Sequence, residues 1–126
     1  MKNGFGPQAA FLYVAAMFEP AELFDLQQTA HAAIFDGCQY AWDALKRIQA
    51  YLEANLRPGL HGRAQGAAFI GERVFIGEGT VVEHGAMITG PALIGRNCQI
   101  RHNAYIREQV IVGDDCVVGN ACELKN

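Results

Sequence analysis

Two pairs of polar residues near the C-terminus share one spacing. Tyr105 and Glu123 are eighteen residues apart, and so are Arg107 and Lys125. If the fold brings Arg107 against Lys125, the two cations repel, and an anion placed between them removes that repulsion. Such a pair suits a phosphate, gripped by a guanidinium fork and an ammonium point charge. The competing reading is a surface ion cluster in which Glu123 neutralises both cations. His84 and His102 repeat the same separation, and Asn120 continues the series. Stacked imidazoles can bind zinc or serve as a base. With no third histidine in register, solvated surface residues are the simpler reading and no metal is expected. His31 and His61 read as structural or solvated. The four cysteines, Cys38, Cys98, Cys116 and Cys122, show no CxxC or other ligand spacing. They read as free thiols in a reducing cytoplasm.

The elements that must position these residues fit one domain's worth of chain, 126 residues. A formal charge of -3 argues against nucleic-acid binding through bulk electrostatics. A hydrophobic content of 51 % argues against disorder. No apolar run reaches the roughly 18 residues that span a bilayer. The apolar stretch from Ala9 to Phe18 resembles a signal-peptide core only in length. Gly4, Gly6 and Pro7 replace the basic flank, and Phe18-Glu19-Pro20 makes a poor cleavage site, so a cytoplasmic protein is expected.

Two halves follow different periods. Pro20 can open a short helix through Glu22, Leu23 and Phe24. Then Cys38, Ala41, Trp42, Leu45, Ile48, Leu52 and Leu56 recur at three- and four-residue steps. That pattern predicts one helix of roughly 16 to 20 residues with a single apolar stripe. Arg57-Pro58-Gly59 ends it, and residues 59–66 form a glycine-rich connector. The expected division is a helical cap and connector over 1–66 and a β domain over 67–126.

From Ile70 the period becomes six. Ile70, Ile76, Val82, Ile88, Ile94, Ile100, Ile106, Val112, Val118 and Leu124 stand in unbroken register. Four residues after each of the first nine comes a small or β-branched one: Val74, Thr80, Ala86, Ala92, Cys98, Ala104, Val110, Cys116 and Cys122. Neither a helix nor a flat strand has this period. Short strands joined by tight corners do, with one inward aliphatic per strand. Glycine follows the aliphatic at 71, 77, 95, 113 and 119, where it can supply a positive φ at the corner.

This register resembles the hexapeptide repeat of left-handed parallel β-helices. The resemblance implies a left-handed β-helix of about three coils, three hexads to a coil, capped by the N-terminal helices. Residue n then lies over residue n+18, about 4.8 Å away. Cys98 falls over Cys116 as a small core residue, with no disulfide indicated, and Arg101 over Glu83 as a salt bridge. The Trp42/Leu45/Ile48/Leu52 stripe is expected to cover the first coil. The last coil has no cover, which suggests a fragment or another chain shielding that end. Phe75, Leu93 and Ile111 form an outward apolar column that asks for a partner surface. The family's usual answer is a homotrimer; the alternative is cover by the chain's own helices.

A sharper resemblance rests on Ala104-Tyr105-Ile106-Arg107 and on Val118-Gly119-Asn120-Ala121-Cys122-Glu123-Leu124-Lys125. These segments look like the β-helix domain of the bifunctional glucosamine-1-phosphate acetyltransferase/N-acetylglucosamine-1-phosphate uridylyltransferase. They look closer still to its stand-alone sugar-nucleotidyltransferase-like relatives. Leu23-Phe24-Asp25 and Trp42-Asp43-Ala44-Leu45 are similar to those relatives as well. The resemblance implies that Arg107 and Lys125 hold the phosphate or nucleotide part of a sugar substrate and that Glu123 contacts the sugar; Tyr105, eighteen residues before Glu123, is placed with them as a substrate-binding candidate. It implies acyl transfer from acetyl-CoA or another acyl-CoA. In that family the base histidine follows the segment where this chain ends, so no catalytic residue is assigned. The nucleotidyltransferase domain has no counterpart here, and uridylyl transfer is not expected of these residues. The alternatives are a non-catalytic module for trimerisation or sugar-nucleotide binding and, further off, a zinc protein of the γ-type carbonic anhydrase kind.

Overall fold

The computed structural model describes residues 6–10 and 17–125. Most of the apolar stretch from Ala9 to Phe18 lies outside them. By their internal contacts, Met1–Lys46 and Arg47–Asn126 form two compact units. No helix of the described residues is long and apolar enough to cross a membrane.

The first unit is built from short turns. Helix α1 is Pro20–Leu23, with the buried Pro20 in its first turn, where a missing N–H costs nothing. Single 3₁₀ turns follow at Leu26–Gln28, opened by an Asp25 cap on the Gln27 N–H, and at Ala32–Phe35. The ring of Trp42 stacks on Tyr40 at 4.8 Å and meets Phe18 at 5.5 Å.

The single long helix read from the apolar stripe is two elements. Ala41–Arg47 is 3₁₀, and only Ile48–Asn55 is α-helix, here α2. A 3₁₀ segment turns every three residues, so its side chains leave the line that a 3.6-residue period would give them. Trp42 and Leu45 stay 51 % and 61 % exposed, while Leu52 is 1 % exposed. Trp42 and Leu45 belong to the first unit and Ile48 and Leu52 to the second, so the stripe is not one continuous element.

The second unit is a parallel β-solenoid. Its strands are β1 (Gly59–Leu60), β2 (Arg63–Ala64), β3 (Phe69–Ile70), β4 (Val74–Ile76), β5 (Val81–Val82) and β6 (Met87–Ile88), followed by β7 (Ala92–Ile94), β8 (Gln99–Ile100), β9 (Tyr105–Ile106), β10 (Val110–Val112), β11 (Val117–Val118) and β12 (Glu123–Leu124). They form three four-stranded sheets, β1-β4-β7-β10, β2-β5-β8-β11 and β3-β6-β9-β12, so the chain winds through four coils. The expected count was about three. The extra coil comes from the stretch read as a connector, which hydrogen-bonds to the next coil from His61, Arg63 and Gln65. Pairing runs at an offset of eighteen in Val82↔Ile100 and Ile88↔Ile106. The first pairing, Leu60↔Ile76, is offset by sixteen, so the first corner is two residues shorter.

The aliphatic register fills the interior. Ile76, Val82, Ile88, Ile94, Ile100 and Ile106 are fully buried, as are Thr80, Ala86, Ala92 and Ala104 in the small register. Thr80 is the buried polar exception and is fully used. Its hydroxyl donates to the Gly95 carbonyl at 2.7 Å and accepts the Cys98 N–H at 2.9 Å. Cys98 repeats the motif one coil on, its thiol donating to the Gly113 carbonyl at 3.0 Å. The described cysteines are all free thiols, graded from buried Cys98 through half-buried Cys116 to exposed Cys122. Burial pushes the Cys116 thiol upward, and the neighbouring Cys98 adds to that.

The glycines after the inward aliphatics serve a purpose other than the one expected. Positive φ falls two residues later, at Gly79, Gly85, Asn97, Asn103, Gln109, Asp115 and Ala121. Gly77 and Gly95 instead lie where a Cβ would collide with the backbone of the next coil. They are the price of stacking coils at sheet spacing.

The apolar column on the first sheet is covered from within the unit. Leu52, Leu56 and Leu93 form one buried cluster, with Ile48, Phe75 and Ile111 packed against it. Helix α2 thus lies along the outer face of β4, β7 and β10 and does not sit over the first coil. The column therefore gives no argument of its own for a trimer. The equivalent ladder on the third sheet stays open, with Phe69, Met87 and Tyr105 all exposed.

Candidate functional site

The β9–β12 pairing decides the neighbourhood of the C-terminal polar residues. Its register sets Tyr105 against Glu123 and Ile106 against Leu124, and the Arg107 N–H donates to the Leu124 carbonyl at 2.9 Å. Arg107 and Lys125 follow the paired residues on adjacent coils, at the same corner. Tyr105 and Glu123 precede them on the outer face of the third sheet.

The guanidinium of Arg107 is already engaged. Nη1 donates to Glu123 Oε1 and Nη2 to Glu108 Oε1, each at 3.1 Å. The hydrogen bond it donates to Glu123, followed by the charge of Glu108, holds the Arg107 guanidinium above its usual range. Its own backbone N–H, then Arg107 and Lys125, hold the Glu108 carboxyl below the usual carboxylate range. Two cations and two carboxylates therefore make a neutral cluster. The side chain of Arg107 is 34 % exposed, and those of Glu108 and Glu123 are about half exposed. Glu123 and Glu108 thus hold two of the five guanidinium N–H groups of Arg107, and an anion reaching those groups competes with a carboxylate. Glu108 was missed from the sequence, although it directly follows Arg107 and carries the opposite charge.

The two histidines also stack. The His84 and His102 rings lie 5.9 Å apart and 12° from parallel. His102 Nδ1 is 2.6 Å from the His84 carbonyl oxygen, which can only accept, so Nδ1 is the donor and is not open to a metal. Lone pairs lie in the ring planes, and stacked, near-parallel rings do not aim them at one ion. Among the described residues no three His, Cys, Asp or Glu side chains group to hold a metal. The expected salt bridge from Arg101 to Glu83 is not formed. Glu83 accepts the backbone N–H of His102 at 2.9 Å, and Arg101 reaches Gln99 at 3.5 Å. A corner N–H left open by the turn outcompetes a solvated guanidinium.

A depression lies beside the shortened first corner, lined by His61, Phe75, Gly77, Glu78 and Arg96. The His61 ring rests 5.3 Å from that of Phe75, and Arg96 pairs with Asp114 at 3.7 Å.

Residues 91–126 match the family model described as bacterial transferase hexapeptide, six repeats. The match spans β7 to β12, the last two coils of the solenoid. No curated protein and no solved structure matches the chain. The matched hexapeptide stretch holds Tyr105, Arg107, Glu108, Glu123 and Lys125, whereas His84 precedes it. The repeat dictates the period and the inward residues; outward side chains such as these are free to vary with the ligand.

Proposed function

We propose that this hexapeptide-repeat protein acts in acyl transfer to a phosphorylated or nucleotide-linked sugar, and that the chain carries the scaffold and part of the substrate site. The observation that supports the reading is the β9–β12 register, in which Tyr105 pairs with Glu123 and Ile106 with Leu124, so that Arg107 and Lys125 each follow a paired residue on adjacent coils. In this reading the two cations hold the phosphate, Glu123 the sugar, and Tyr105 flanks it on the same face. The co-substrate is acetyl-CoA or another acyl-CoA. The sugar amine or hydroxyl attacks the thioester carbonyl, gives its proton to a base, and expels the thiolate, which is then protonated. No residue of this chain is assigned as that base. The setting is the cytoplasm, and the assembly is a homotrimer, to be checked by sedimentation.

Calorimetric titration with glucose 1-phosphate tests the substrate site. Weak but measurable binding in the wild type, lost in Arg107→Ala, supports it. Identical null heats for both proteins remove it.

One observation favours a second reading, a non-catalytic binding module. Arg107 already pairs with Glu108 and Glu123, so its charge is balanced with no ligand bound. That reading expects sugar-phosphate binding with no acetyl-CoA turnover even at high substrate.

A further inference from the structure

We infer that Glu108 is an internal anion occupying the phosphate seat, and that a ligand enters by displacing its carboxylate from Arg107. The inference rests on the reading of Arg107 and Lys125 as the phosphate contacts. It deepens that reading by saying what holds the seat before the ligand arrives.

The two carboxylates on Arg107 are not equivalent. Glu123 lies on β12, with a backbone position fixed by its pairing with Tyr105. Glu108 lies beyond the end of β9, directly after Arg107, and belongs to no strand. Its carboxylate bonds Arg107 Nη2 at 3.1 Å and also feels the charge of Lys125. Glu108 is therefore under the influence of both cations, as a bound phosphate oxygen would be. Its side chain is 46 % exposed, so it can leave the cluster for water without unfolding anything. After leaving it stays tethered next to Arg107 and repels the incoming anion. The seat is thereby closed to weakly charged ligands and open to a phosphate, which carries more charge than the carboxylate it replaces.

The test is titration of glucose 1-phosphate at low salt into the wild type and Glu108→Gln, which keeps size and removes charge. Glu108→Gln is expected to bind about fivefold more tightly or better, the factor that one unit charge at contact distance gives in water. The gain should vanish in the double variant Glu108→Gln/Arg107→Ala. Glu78→Gln, which makes the same change in net charge at a different corner, should leave affinity near the wild-type value. If Glu108→Gln binds no more tightly than wild type while Arg107→Ala still weakens binding, Glu108 is no internal anion and the phosphate site stands. An equal gain in Glu78→Gln assigns the effect to net charge and overturns the inference. If neither wild type nor Glu108→Gln binds, the phosphate reading falls together with it.

Discussion

Replacing Thr80 with valine removes two hydrogen bonds from the solenoid interior and almost no volume. Thr80 is fully buried, and its hydroxyl bridges coils by donating to the Gly95 carbonyl and accepting from the Cys98 N–H. Valine leaves both backbone groups without that partner, at about 1–3 kcal/mol each. The methyl that replaces the hydroxyl returns up to about 1 kcal/mol of apolar burial. The expected loss is therefore about 1–6 kcal/mol, with a midpoint of about 3. Thr80→Ser keeps the bridge and loses a methyl, at about 1 kcal/mol. Urea unfolding followed by circular dichroism gives both values, since midpoint and slope separate stability from a change in the denatured state. Serine should lie between wild type and valine. A core stabilised by hydrophobic size alone gives the reverse order, and a valine variant as stable as the wild type would refute the bridging role.

Five further substitutions have expected outcomes. Gly77→Ala should cost about 1–3 kcal/mol because its Cβ meets the next coil's backbone. Gly113→Ala, whose Cβ meets nothing nearer than Cys116 Sγ at 4.0 Å, should be close to neutral in this chain by thermal melting. Leu52→Ala should cost about 2–5 kcal/mol by loss of the buried contact over Leu93, whereas Leu45→Ala, at a position 61 % exposed, should change little in urea titration. Ala121→Asn should stabilise by about 0.5–1 kcal/mol, because Ala121 sits at φ 54°, where Asn97 and Asn103 occupy the equivalent corners; a lower melting temperature would show that the left-handed corner is not strained.

The sequence by itself determined the solenoid. A six-residue period of Ile, Val and Leu can bury its aliphatics only if the chain turns a corner after every short strand, and that is a local property. The resemblance to hexapeptide-repeat β-helices, with three hexads to a coil, supplied the expectation that Arg107 neighbours Lys125 and His84 neighbours His102. What it left open was settled by contacts between coils. The glycines after each aliphatic looked like corner residues, but a corner's φ and the clearance above it have different causes, and only the stacked backbone separates them. Residues 59–66 joined the first coil because their N–H groups found carbonyls on β4 and β5 and in the corner between them. The Phe75, Leu93 and Ile111 column was closed by α2 after a 3₁₀ segment shifted the stripe, which no period records. Glu108 shows the limit most plainly. Its charge and its place beside Arg107 were readable, but whether its carboxylate turns back onto the guanidinium depends on the corner after β9, and that geometry exists only once the coils are stacked.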